Sequence, residues 1–114
     1  MRHLISGAAG FIGSHLCDRL IADGHQVVGL DNLITGSAAN LESLMGHPRF
    51  RFLEQDVARA FEAPGPWDQV WHLASLASPR DYLAHPIETL ESGSTATRHM
   101  LEVACREGAR FLLT

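Results

Sequence analysis

The stretch LISGAAGFIGSHLCDRL, from Leu4 to Leu20, decides how the rest of the chain is read. It sets three glycines, Gly7, Gly10 and Gly13, between an apolar run and a segment of helical periodicity. Arg2 to Ser6 reads as a short apolar strand. Ile12 to Asp23 reads as a helix, with Ile12, Leu16 and Leu20 recurring four apart on one face. A strand that turns through glycines into a helix leaves the helix N-terminus at the carboxyl edge of a sheet. Its free N–H groups and positive dipole end then form an anion site. For a pyrophosphate to sit there, no Cβ may intervene. Gly7 can make the tight turn, Gly10 can allow close backbone approach, and Gly13 can let helix pack on strand. The spacing is GxxGxxG, with the first glycine one place earlier than in the GxGxxG fingerprint. A flexible turn is the plain alternative, because glycine clusters are common.

Working outward, Gly24 supplies a helix stop, and Gln26 to Leu30 is an apolar strand of the buried kind. Asp31 to Gly36 is a polar turn. Ser37 can cap a short helix through Met45, which Gly46 ends. Arg49 to Gln55 reads as a third strand, Val57 to Phe61 as a helical turn, and Ala63 to Pro66 as a breaker. Gln69 to Ala74 is a fourth strand. Pro86 suits the first turn of a long helix that Gly108 ends. Leu90, Thr97, Met100, Leu101 and Ala104 sketch its buried face. Arg110 to Leu113 is a fifth strand. Strands alternating with helices imply an α/β fold on a parallel sheet. With no repeat, low-complexity tract or linker, residues 1–114 read as one domain or part of one.

Two carboxylates strengthen the phosphate reading of the glycines. Asp31 ends the second strand, 18 residues after Gly13. There a carboxylate can accept both ribose hydroxyls of an adenosine, and it would repel a 2′-phosphate, so NAD is favoured over NADP. The alternative is a residue that starts a turn, as Asp-Asn often does. Asp56 ends the third strand and could accept from an adenine amino group, with Val57 N–H as donor; its alternative is a helix cap. HLASLASP, His72 to Pro79, leaves the fourth strand at the same edge, and its small residues would let backbone come close to a ligand. His72 itself reads as structural. The other six histidines show no metal-ligand spacing.

Composition sets the outer bounds. The chain is 46% hydrophobic and 19% charged, which reads as globular. A formal net charge of −4 argues against a nucleic-acid surface. All nine basic residues are arginines, and there is no lysine. Cys17 and Cys105 lie far apart in expected helices and read as buried thiols. No signal peptide and no membrane-length apolar run is visible, so a cytoplasmic setting without membrane is the expectation.

With these residues placed, the runs SGAAGFIGSHLCDRL, GLDNLITG, QDV, WHLASLASP and GARFLLT resemble the extended short-chain dehydrogenase/reductase family of nucleotide-sugar enzymes. Within it the chain looks most like the UDP-glucuronate decarboxylases. The resemblance implies a Rossmann-like parallel sheet with helices on both faces, of which this chain would be the N-terminal, five-strand portion. Carried across by position, Gly7, Gly10, Phe11, Ile12 and Gly13 would hold the pyrophosphate of NAD. Asp31, Asn32, Thr35 and Gly36 would surround the adenosine ribose, Asp56 and Val57 would meet adenine, and Leu73 and Ser75 would line the cofactor further along. The implied chemistry is hydride transfer from C4 of a UDP-sugar to bound NAD, giving a 4-keto intermediate.

Departures from the family pattern are also legible. Where the family commonly has a lysine that helps hold the sugar acid, this chain has Glu91, and where it has an asparagine, Gly93. A carboxylate cannot pair with a glucuronate carboxylate; a solvated helix surface is the bland reading of Glu91. Tyr82 matches a family tyrosine that at most touches substrate. The catalytic Tyr-x-x-x-Lys of the family lies after the fifth strand, and this chain, with Tyr82 as its one tyrosine and no lysine, cannot assemble it. No catalytic residue and no metal ligand is therefore assigned. The expectation is the N-terminal part of an enzyme roughly two to three times as long, with weak or absent NAD binding and no turnover by these residues alone. The alternatives are a non-catalytic, self-associating NAD-binding module, or a parent that is a 4-epimerase or 4,6-dehydratase. Exposed sheet and helix faces predict a homo-oligomer.

Overall fold

The computed structural model describes residues 1–59 and 61–114. Five strands carry the fold: β1 (Arg2–Ser6), β2 (Gln26–Asp31), β3 (Phe50–Glu54), β4 (Gln69–His72) and β5 (Arg110–Leu113). They form one sheet in the order β3-β2-β1-β4-β5, and every pairing is parallel. Leu4 of β1 stands opposite Val28 of β2 and Val70 of β4. Because side chains alternate across a strand, adjacent residues of β1 serve different cores. Leu4 joins Leu30, Val70, Ala96, Met100 and Val103 on one face, while Ile5 joins Val27, Cys17, Ile21, Leu41 and Phe50 on the other. Two covered faces explain why the central strands β1 and β2 place apolar residues on both sides.

On the second face lie α1 (Phe11–Ala22) and a 3₁₀ helix, Ala38–Leu44. The Ser37 hydroxyl caps the latter, accepting from Ala39 N–H at 3.3 Å. The buried side of α1 is Gly13, Ser14, Cys17, Leu20 and Ile21, whereas Ile12 is 63% exposed. The face expected from Ile12, Leu16 and Leu20 is thus rotated, because Gly13 is pressed onto the preceding loop and turns its side of the helix inward.

On the first face lies α4 (Thr95–Glu107), which buries Ala96, Met100, Val103 and Ala104 at helical spacing. Met100 is fully buried, and a side chain of that size contributes about 1.5–3 kcal/mol by leaving water. The single long helix expected from Pro86 is divided. Ser94, at φ −118° and ψ −80°, separates α3 (Pro86–Gly93) from α4, and a short α2 (Pro79–Ala84) precedes them. Gly93 and the serines around it are weak helix formers, so little resists the break. Leu90 and Leu101, expected inside, are exposed. Cys105 is exposed too, on the outer side of α4, while Cys17 is buried and its thiol is pushed up to about 12 by burial, with Asp18 adding to it. The turn expected over Val57 to Phe61 is a turn at Val57 and Ala58; its residue Ala60 lies outside the described residues.

Candidate functional site: a cleft at the carboxyl edge of the sheet

The chain leaves β1 through Gly7, whose φ of +75° belongs to the left-handed region that favours glycine. Its N–H donates to the Leu30 carbonyl at 2.8 Å, which ties the turn to β2. A Cβ here would stand 2.7 Å from Ala74 N, so the loop after β4 can close on the turn only because there is none. Gly13 meets the Gly7 turn from the helix side: its Cβ would lie 2.8 Å from the Gly7 carbonyl carbon and 3.0 Å from Ala8 Cα. Gly10 is the N-cap of α1 and offers no side chain to the N–H groups of the first turn, which also holds no acidic residue. Those donors, at the positive end of a helix of 12 residues, are left for an external anion. Phe11 and Ile12 sit in that turn with exposed side chains.

Asp31 ends β2 beside this turn. Its Oδ2 accepts from Ala9 N–H at 2.9 Å and its Oδ1 from Leu33 N–H at 2.8 Å. The second bond is an Asx turn, and it holds Leu33 at φ +62°. The turn-starting alternative is thus realised, and each carboxylate oxygen keeps further acceptor capacity. Asn32 makes its own Asx turn to Ile34 N–H at 3.1 Å. Gly36 folds back so closely that a Cβ would be 3.0 Å from Asp31 Oδ2. At the end of β3, Asp56 Oδ1 accepts from Ala58 N–H at 2.9 Å, and Val57 is buried in the core below.

These ends converge on a cleft of about 380 Å³. Gly7, Gly10, Asp31, Asn32, Thr35 and Gly36 line it, together with Asp56, Val57, Leu73, Ser75 and Glu91. Phe11, Ile12 and Gly13 stand beside it in the first turn of α1. Tyr82 is on α2, away from the lining. The far wall was not read from the sequence. It is α3, which contributes Ile87, Glu88 and Ser92 besides Glu91. Glu88 is three residues from Glu91, and that spacing alone put the two carboxylates on one helix face. Gln55 also lines the cleft, and its buried Oε1 has no partner among the described residues.

Beneath the floor sits His72, 2% exposed. Its Nε2 lies 3.0 Å from the Ser92 carbonyl and its Nδ1 2.6 Å from Ser6 Oγ. A carbonyl only accepts, so Nε2 carries the proton and the Ser6 hydroxyl donates to Nδ1. Burial lowers the His72 pKa, against the Ser92 bond, which raises it. Among the described residues, no group of three or more His, Cys, Asp or Glu side chains could hold a metal ion, and no helix is long and apolar enough to cross a membrane.

A parallel sheet in this strand order, with an uncapped helix N-terminus and a carboxylate at the end of β2, defines a dinucleotide-binding α/β protein. The chain belongs to the NAD dependent epimerase/dehydratase family, whose sequence profile matches residues 3–114. It is similar to UDP-glucuronic acid decarboxylase 1 of Danio rerio, 46% identical over 112 residues; the match takes in 98% of this chain and 26% of the relative. The chain thus spans about a quarter of that relative's length. Its fold is similar to the UDP-glucose 4-epimerase of Thermotoga maritima, solved with UDP-glucose, at TM-score 0.79 and 28% identity over 99% of this chain and 37% of that one. It is also similar to the dTDP-glucose 4,6-dehydratase of Streptomyces venezuelae, solved with NAD, at TM-score 0.79 and 28% identity over 96% of this chain and 37% of that one.

Proposed function

We propose that residues 1–114 are the N-terminal NAD-binding portion of a nucleotide-sugar-modifying enzyme of the UDP-glucuronate decarboxylase kind. The observation that carries this reading is the cleft, in which the uncapped start of α1 and the Asp31 carboxylate line one space. The Gly7–Gly10 turn would receive the pyrophosphate, and Phe11, Ile12 and Gly13 would donate to it through backbone N–H. Asp31, with Asn32, Thr35 and Gly36, would take the adenosine ribose. Asp56 and Val57 would meet adenine, and Leu73 and Ser75 the remainder. When bound, NAD supplies a hydride acceptor for C4 of the sugar. The residues present bind and orient; no tyrosine–lysine pair exists among them to move a proton, so this chain alone turns over no UDP-sugar.

Calorimetric titration tests the reading. Weak binding of NAD is expected, weaker still for NADP, and lost in Asp31→Ala. A folded chain that gives no heat at millimolar NAD, or that takes NADP as readily, would sink it. Glu91 favours a second reading of the parent, as a 4-epimerase or 4,6-dehydratase. With Glu88 it gives the far wall two carboxylates, which suit a neutral hexose better than a uronate. With NAD present, tighter binding of UDP-glucose than of UDP-glucuronate would support that branch. Exposed Leu83, Ile87 and Leu90, with Leu112 and Leu113 on β5, support the further proposal that the chain is a homo-oligomer, which would also suit a non-catalytic NAD-binding module.

A further inference from the structure

The far wall of the cleft is weakly held. No residue of α3 is buried, and Ile87 and Leu90 are largely exposed, yet this helix carries Ile87, Glu88, Glu91 and Ser92 into the lining. Packing onto the sheet therefore does not fix its place. Its C-terminal turn has carbonyls without intrahelical partners, and the break at Ser94 leaves that of Ser92 to be satisfied from outside. Ser92 O takes Nε2–H of His72 at 3.0 Å and the Thr97 hydroxyl at 3.3 Å. Among the described residues the His72 bond is the only hydrogen bond between α3 and the sheet. The other ring nitrogen accepts from Ser6 Oγ at 2.6 Å, and that oxygen in turn accepts from Ala74 N–H at 3.3 Å. One imidazole thus ties the end of β1, the loop after β4 and α3, three segments that each line the cleft.

We propose that His72 is a positioning residue, whose Nε2–H bond to Ser92 holds α3 as the outer wall of the cleft against the edge that carries the glycine turn. Any effect on NAD rests on the cofactor reading above; the effect on α3 does not.

The test is therefore made first without ligand. His72→Leu leaves the Ser92 carbonyl without its sheet donor. His72→Gln keeps one acceptor and one donor on a side chain of similar reach. In the leucine variant, amide hydrogen exchange across Pro86–Gly93 should accelerate about tenfold while α1 and β1–β3 keep their protection. The glutamine variant should restore it, a rescue that simple loss of core volume would not give. Where wild type binds NAD, affinity should fall about tenfold in the leucine variant and return in the glutamine variant. Unchanged α3 exchange in a folded leucine variant, or no rescue by glutamine, overturns the proposal. So does an Nδ1–H tautomer of His72 in long-range nitrogen–proton NMR spectra of the wild type, a measurement that decides the matter even if the leucine variant fails to fold. Failure of NAD to bind the wild type would count against the cofactor reading, with α3 exchange and the tautomer still deciding the role of His72.

Discussion

An alanine at Gly13 would set its Cβ 2.8 Å from the Gly7 carbonyl carbon and 3.0 Å from Ala8 Cα, and backbone cannot swing aside as a side chain can. In an ordinary helix, glycine to alanine stabilises by roughly 0.5–1 kcal/mol. Here the sign should reverse: Gly13→Ala should cost about 1–3 kcal/mol, the usual toll of overpacking, read as a lower urea midpoint. A second residue-scale prediction concerns His3, buried in β1. Trp71 Nε1–H donates to its Nδ1 at 3.1 Å, and its Nε2 has no partner among the described residues. Burial first, then His25 and the N-terminal ammonium, lowers its pKa from 6.5 to about 4, while Asp68 opposes them. The unfolded chain therefore takes up a proton below 6.5 that the folded chain refuses until about 4. Stability should be full above the upper value and decline as pH falls through that window. Urea midpoints against pH should show a shallower acid decline in His3→Phe; an identical slope would exclude His3 as the cause. At this scale the sequence was most readable where a residue type answers a backbone demand, as at Gly7; at Asp31 the structure shows the turn-starting alternative rather than the favoured ribose role. It was least readable for exposure: Cys105, Ile12 and Leu90 were placed inside because apolar character does not say which side of a helix meets the sheet.

Helices and strands differ in how plainly they were written. The strands stood out because parallel strands covered on both faces are apolar runs bounded by breakers. The helical stretch from Pro86 to Gly108 was read as continuous because nothing in it forbids continuity as proline would; only glycine and serines mark the division at Ser94. α2 was missed for the same reason, being short and without a buried face. Gly93, the last residue of α3, offers a test of that helix as an element. Nothing lies within 4 Å of a Cβ built there. Gly93→Ala should stabilise the protein by about 0.4–1 kcal/mol, chiefly by restricting the unfolded chain, seen as a raised melting temperature. A loss would mean that the break at Ser94 needs the freedom of glycine one residue earlier.

For the molecule as a whole, alternation of strand and helix implied the α/β class, but strand order did not follow from it. The order β3-β2-β1-β4-β5 depends on which neighbour each crossover reaches, a choice made by packing across the sheet. The cleft follows from that choice, for β1 and β2 together bring Gly7 and Asp31 to one edge, and the loop after β4 closes over them. The exposed apolar residues of α2, α3 and β5 make the association state a property of the whole surface. Size-exclusion chromatography of the 114-residue chain should show a species larger than a monomer, growing with concentration; a clean monomer at every loading would count against it.

Leu4 and Ile5, adjacent in β1, point into opposite cores, and Gly7 follows two residues later. A slip of one residue in β1 would send each of them to the wrong side, and it would also displace the turn that faces the cleft. Folding thus fixes the cleft edge as it fills the two cores. A chain whose two cores are filled correctly has, by the same register, its glycine turn in place, and one that misaligns the turn forfeits both cores at once.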